Sequence, residues 1–308
     1  MALFAATNKH PGWTCVDVLA HSVDVARVRP AAGEKPEVAM CDSYRKEGGD
    51  RPTLNRLRRA LRLNDGRCTT LLMPGQYQIM QVDTPRVPDA ELKAALRWQI
   101  RDLVAFPVDT ATVDAVAVPS GGAAQRHFVV AAPNQTIGAV MQLFDDADID
   151  LAAIDVPEFA QRNVARLLEE PGCALALLVF DGEDPLLTFT SGGELYQCRR
   201  IELQSPGITV ADPEQRRAQY ERLALELQRS LDNYGRQFPS PRVTRLIVAS
   251  VPGAEGLLPY LESQVGVPVV MLDLSAVMDL SRIPELREPL HQTRCVQTIG
   301  AALREDAP

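Results

Sequence analysis

The chain carries six cysteines and four histidines, the residue types that most often hold a metal ion or serve as nucleophile and base. Their spacing supports neither use. Cys15, Cys41, Cys68, Cys173, Cys198 and Cys295 contain no CxxC pair, and His10, His21, His127 and His291 show no ligand spacing. A structural zinc site needs such closely spaced pairs to complete its tetrahedron. Most of the cysteines sit in or beside apolar runs, which reads as buried, reduced thiols of a cytosolic protein. The sequence has no GxxxxGK[ST] phosphate loop and no nucleophile with a recognisable base and orienter.

The remaining candidates lie on predicted helices. Arg56, Arg58, Arg59 and Arg62 form a basic run, read first as an exposed helix face and second as a contact for anionic lipid or an acidic partner. Trp98 stands beside Arg97 and Arg101, ahead of Phe106 and Pro107. It is read first as helix core and otherwise as the wall of a peptide groove. Glu226 and Arg229 are read as a solvated helix face, with a nucleotide contact as the alternative. A net charge of −8 does not favour nucleic acid or an anionic membrane. No apolar run reaches the ~20 residues of a membrane span. The opening MALFAATNKHPGW lacks the basic region and apolar core of a secretory signal.

The elements that must position these residues follow from periodicity. Tyr220, Leu223, Ala224, Leu227, Leu231, Tyr234 and Phe238 fall three or four apart, so they form one stripe of a long helix. Asp212 and Pro213 mark its start, and Pro239 ends it. The apolar run Val243 to Ser250 then reads as a buried strand. In the first half, Trp13 to Arg29 predicts a hairpin, Glu37 to Met40 a third strand, Pro52 to Leu63 a basic helix and Cys68 to Met73 a strand. A strand over Gln76 to Val82, a helix from Pro88 to Pro107, a hairpin over Ala111 to Ala132 and a helix over Thr136 to Phe144 come next. Ile149 to Val156 is a strand, and Pro157 to Leu168 a helix. Glu169–Glu170–Pro171–Gly172 is the expected boundary between halves covering 1–170 and 171–308. The second half repeats the order: strands at Ala174–Phe180, Leu186–Thr190 and Leu195–Ile201, the long helix, and the strand at Val243. A helix at Gly256–Gln264, a strand at Val267–Leu272 and a short helix at Val296–Arg304 complete it. The residues between about Gly75 and Asp148 exceed what one repeat needs, so a small inserted subdomain is expected there.

Such a duplication, in architecture but not in sequence, resembles the actin/Hsp70/hexokinase type of α/β fold: two halves around a cleft. The residues narrow the resemblance. ALRWQIRDLVAFPVD (Ala95 to Asp109), LALELQRSLDNYGRQFP followed by VTRLIVAS, GLLPYLESQVGVPVVMLD (Gly256 to Asp273) and TIGAALR (Thr298 to Arg304) resemble, in that order, segments of the PilM/MshI family of type IV pilus biogenesis proteins. Length and the lack of a membrane span look most like the MshI members, from mannose-sensitive haemagglutinin (MSHA) pilus systems.

The resemblance implies a cytoplasmic protein, held at the inner membrane by a PilN-like partner whose N-terminal tail it docks. The implied groove lies in the first half, with Leu96, Trp98, Ile100 and Phe106 as candidate contacts. In some members of the family the cleft binds ATP. Its ligands here would be Asp17, His21 and Ser22 of the first hairpin, Asp181 and Gly182 of the second, and Ser250 and Gly253 on the adenine side, with Asp17 and Asp181 organising Mg²⁺. The plainer reading of both acids is strand-end residues without that role. Three departures argue against retained binding. Leu19 replaces a hairpin glycine, Asp24 replaces a cation, and the turn after Val248 carries one glycine and a proline. A carboxylate beside a triphosphate costs energy where a lysine would neutralise it. The resemblance therefore predicts a non-enzymatic scaffold with no required cofactor, and ATP–Mg²⁺ control of docking as the alternative. A sugar or acetate kinase of the same superfamily would need intact phosphate loops.

Overall fold

The computed structural model describes residues 12–30, 35–119, 125–180, 184–203 and 207–305. The first sheet has the order β3-β2-β1-β4-β8 and is built from β1 (Trp13–Val18), β2 (Ser22–Arg29), β3 (Glu37–Arg45), β4 (Arg67–Leu71) and β8 (Leu151–Asp155). β1 pairs antiparallel with β2 and parallel with β4, which pairs parallel with β8. The second sheet repeats that order as β11-β10-β9-β12-β13. Its strands are β9 (Ala174–Val179), β10 (Leu186–Ser191), β11 (Glu194–Arg200), β12 (Val243–Val248) and β13 (Val269–Met271). The antiparallel and parallel pairings recur in the same places.

β9 is buried at every position, as its unbroken ALALLV predicts. Leu175, Leu177 and Val179 enter the core between the two sheets, while Ala176 and Leu178 face the long helix. That helix is α5 (Pro213–Gln237), with Tyr220, Leu223, Ala224, Leu227 and Tyr234 buried along its predicted stripe. The Asp212 side chain caps it, accepting from the Glu214 and Gln215 amides at 2.9 Å. α6 (Leu257–Gln264) packs beside it. On the first sheet, α1 (Asp50–Leu61) and α3 (Asn134–Asp146) take the equivalent outer face, where Leu54, Leu57 and Phe144 meet Val16 and Val25.

Between β4 and α3 the chain inserts a three-stranded sheet of order β5-β7-β6, from β5 (Gln78–Asp83), β6 (Ala111–Val118) and β7 (Arg126–Pro133). α2 (Asp89–Gln99) covers one face through Leu96, which packs with Ile100, Val113 and Val129. The other face, with Phe128 and Ala132, joins the core of the second half.

The helices that end the two repeats are exchanged. α4 (Pro157–Leu168) follows the first sheet but lies on β9, β10 and β11. α7 (Pro289–Ala302) follows the second sheet but lies on β1, β2, β3 and β4. They cross at Gly300, where a β-carbon would run into the Ala160 carbonyl, so only glycine permits this approach. Asn163 Nδ2 donates to the Gly300 carbonyl at 2.9 Å, and Gln297 Nε2 to Gln161 Oε1 at 3.2 Å.

Three boundaries differ from the sequence reading by more than two residues. β3 continues past Met40 to Arg45, paired with β2 along its length. α2 stops at Gln99, not at Pro107. Tight turns (Arg101 amide to Trp98 carbonyl, 3.2 Å; Leu103 amide to Ile100 carbonyl, 2.9 Å) replace its last turn, bring Val104 and Phe106 onto the subdomain core and leave Leu103 exposed. α7 starts at Pro289, seven residues before the expected Val296, with the proline in its first turn.

Candidate functional site: the cleft between the sheets

The β1–β2 turn sits at the mouth of the cleft. Pairing ends at Val18 and Val23, and the Leu19 amide donates to the Ser22 carbonyl at 3.0 Å. That amide is therefore spent on closing the turn. Asp17, 7% exposed, lies directly across from Asp24. Asp24 Oδ1 accepts from the Ser22 hydroxyl at 3.0 Å and the Ser43 hydroxyl at 2.6 Å. A cavity of about 960 Å³ opens here. Asp17, Ser22, Asp24 and Asp42 line the wall from the first sheet, and Arg294, Cys295, Gln297 and Thr298 of α7 line the other. A second cavity of about 350 Å³ shares Asp17, Leu19 and Gln297 and adds Asp184 and Arg200.

Of the residues predicted for a nucleotide, the structure brings Asp17 and Ser22 together. His21 is exposed, with its carbonyl accepting from the Lys46 amide at 3.0 Å, and it lines neither cavity. Ser250 lies behind the wall, where its carbonyl accepts from Thr293 Oγ1 at 2.8 Å. Gly253 is exposed at φ 76° and its amide donates to Glu255 Oε1 at 3.2 Å. Asp181 and Gly182 lie outside the described residues. Among the described residues, no group of three or more His, Cys, Asp and Glu side chains is placed to hold a metal ion.

No family model matches the chain, and no curated protein matches its sequence. Solved structures do match. A PilM–PilN type IV pilus biogenesis complex superposes with a TM-score of 0.71 at 20% identity, over 96% of this chain and 98% of that one. The cytoplasmic domain of EpsL, an inner-membrane component of the type II secretion system of Vibrio cholerae, gives 0.52 at 13% identity, over 96% of each chain. A Bacteroides thetaiotaomicron protein described as having an actin-like ATPase fold gives 0.51 at 6%, over 91% of this chain and 96% of that one. The chain has the actin-like fold.

A second concave surface of this actin-like chain lies between the inserted sheet and the second half. β5 and β11 are both edge strands, and they flank a groove of about 440 Å³ lined by Ile79, Gln81 and Phe128 on one side and Gln197 and Arg199 on the other. Gln81 Nε2 spans it to the Tyr196 carbonyl at 3.1 Å. At its base the Tyr77 hydroxyl donates to the buried Glu158 Oε2 at 2.6 Å, and Arg200 Nε lies 4.0 Å from Glu158 Oε1. Burial, then the Glu158 charge, push the Tyr77 phenol well above its ordinary range.

The four predicted partner contacts separate. Leu96 and Ile100 are fully buried beneath α2, because they form the stripe that holds the helix on its own sheet. Neither side chain reaches the surface of this structure. Phe106 is half-buried against the same core. Trp98 is 76% exposed, so the reading of it as helix core is corrected: α2 buries Leu96 and Ile100 and turns Trp98 outward. Glu226 is neither freely solvated nor in the cleft. It accepts from Arg229 Nη1 at 2.7 Å and from Arg199 Nη2 at 2.9 Å, tying α5 to β11. Burial raises the Glu226 carboxyl, but the hydrogen bonds from Arg229 and Arg199 outweigh it and hold the group below its ordinary value. In the basic run, Arg56 and Arg58 pair with Glu47 and Asp148 at 2.8 and 2.5 Å, an exposed helix face.

The sequence reading did not find Asp42, Ser43, Cys41, Cys295 or Gln297 as cavity residues. β3 and α7 were each read short, which cut off Cys41, Asp42, Ser43 and Cys295, whereas Gln297 lay inside the predicted helix.

Proposed function

We propose that this actin-like chain is a PilM/MshI-like scaffold of type IV or MSHA pilus assembly, or of a type II secretion-like system. It docks the cytoplasmic N-terminal tail of a PilN-like inner-membrane protein and is held at the membrane through that partner. The observation that carries the reading is the end-to-end likeness to a PilM–PilN complex. Two further features support it. No helix among the described residues is long and apolar enough to cross a membrane, so attachment through a partner is the natural arrangement. The groove between β5 and β11 offers strand edges to an extended peptide, with Ile79 and Phe128 as apolar contacts for alternate side chains.

In this reading the cleft is not catalytic. The Ser22 hydroxyl that would face a phosphate is committed to Asp24, and the Leu19 amide is committed to the turn. At the same turn the Asp24 carboxylate stands in place of a cation, and that donor set does not suit a triphosphate. A second reading, in which ATP–Mg²⁺ binds and its state controls docking, is favoured by the cavity volume, which suits a ligand of that size. Millimolar ATP–Mg²⁺ separates the two: the scaffold reading expects no rise in Tm, and nucleotide control requires one.

The test of the scaffold reading is co-purification. The tagged chain is expected to come down with membranes that contain the PilN-like protein. It is expected to be lost to the soluble fraction when that protein's N-terminal tail is deleted. Membrane association that survives the deletion would remove the proposed mechanism.

A further inference from the structure

Cys41 lies in β3, the edge strand of the first sheet, and Cys295 in α7, the helix that ends the second half. Both are free and half-buried, both line the 960 Å³ cavity, and both pack against the same apolar cluster between the sheets. β3 packs against α7, so the two thiols share one wall-to-wall contact region of the cavity. Its interaction with Cys295, ahead of burial, pushes the Cys41 thiol up, and the Thr298 hydroxyl partly offsets this. The other cysteines are placed differently. Cys15 and Cys68 sit on adjacent strands, but their side chains enter opposite faces of the sheet and belong to separate cores. Cys198 is half-buried and lines the β5–β11 groove instead of the cleft cavity, and Cys173 stands in the turn before β9.

We infer that Cys41 and Cys295 are a reversible disulfide site, open to small oxidants through the cleft cavity. The reacting class is a peroxide or a low-molecular-weight disulfide such as glutathione disulfide. With hydrogen peroxide, the Cys295 sulfur attacks one oxygen and the O–O bond breaks. The departing hydroxide takes up the thiol proton as water, leaving a sulfenic acid on Cys295. The neighbouring Cys41 sulfur then attacks the Cys295 sulfur. Its proton leaves with the sulfenic hydroxyl as a second water, and the S–S bond forms. Two thiols lose two hydrogens and two electrons, and one peroxide becomes two waters. Exchanging the roles of the two sulfurs leaves the balance unchanged. The bond links the first sheet's edge strand to the second half's last helix and ties the two walls of the cavity together.

The purified full chain is exposed to hydrogen peroxide or to glutathione disulfide, digested without reduction and read by mass spectrometry. The expected product is a linked peptide pair carrying Cys41 and Cys295, lighter by two hydrogens and restored by dithiothreitol. It is accompanied by a Tm rise of about 5 °C. C41S and C295S each abolish the link and the rise, while C173S keeps both. Should either serine variant fail to fold, the unmodified chain decides. After oxidation and unfolding, Cys41 and Cys295 alone must resist alkylation. Separate adducts on the two cysteines without a linked peptide, or a link in any other pair, would overturn the inference.

Discussion

The two five-stranded sheets share a strand order but are covered differently by the helix each receives from the other half. On the second sheet, α4 lies over β9 and β10, whose residues are all buried, and the Gln161 amide locks it there. Its Nε2 reaches the Leu177 carbonyl at 2.8 Å, the Leu186 carbonyl at 3.1 Å and Thr188 Oγ1 at 2.9 Å. On the first sheet, α7 covers β1 and β2 through Val296 and Ile299, but β3 is only partly covered and the 960 Å³ cavity remains. One face is therefore a closed structural joint and the other an open chemical surface. In a duplicated fold, the candidate site lies where the two copies are filled unequally, and the symmetry itself carries stability.

That contrast predicts unequal responses to mutation. The largest is at the crossing point. Gly300→Ala places a β-carbon against the Ala160 backbone, and urea titration should show a loss of about 3 kcal/mol or more. A loss under 1 kcal/mol, on the order of a surface change, would mean the two helices can separate freely. Next is the joint on the second sheet. Gln161→Leu removes donors from three buried acceptors and should cost about 2 kcal/mol. Gln297→Leu gives up a single donated bond and should cost less than half of that. Equal costs would show that the cavity wall is as tightly built as the joint. On the open side, Arg294→Ala should stay within about 0.5 kcal/mol of the parent.

Much of this architecture was legible in the sequence. β6 and α4 run between the expected residues, because near-alternation and a first-turn proline are local signals. The Asp212 cap was legible for the same reason. The early part of α7, PLHQTRC, was not, since it has few apolar residues at helical spacing. The outward turn of Trp98 was not legible either. Choosing which face of α2 is buried depends on a sheet whose strands come from before and after it. Nor was the meeting of Cys41 with Cys295, which no local pattern encodes. The hairpin acid Asp24 was legible as a charge of the wrong sign. The two hydroxyls committed to Asp24 were not, because one of them arrives from β3.

Smaller effects sharpen the contrast at the groove. Tyr77→Phe leaves Glu158 short of a buried hydrogen bond and should cost about 1.5 kcal/mol by urea titration, without altering the cleft cavity. pH gives the smallest signals. Glu226 is depressed in the folded chain from its ordinary value of 4.5, so its contribution is full above that value and is lost as pH falls through the folded value. Glu226→Gln should flatten the acid limb of the stability profile. Burial lowers His127 from 6.5. The unfolded chain then binds more protons than the folded one, and stability declines as pH drops through about 6.5 toward the folded value. His127→Gln should remove that decline, and a steeper one would reverse the assignment.

The most direct test is calorimetric titration of the full chain with a synthetic peptide of the PilN-like protein's N-terminal tail. It is run without nucleotide and repeated with millimolar ATP–Mg²⁺. The account predicts saturable binding of equal affinity in both runs. Binding should be weakened by a charge at the groove, as in Ile79→Lys, and unchanged by Asp17→Ala. Binding that appears only with ATP–Mg²⁺, or that is lost in Asp17→Ala and kept in Ile79→Lys, would contradict it.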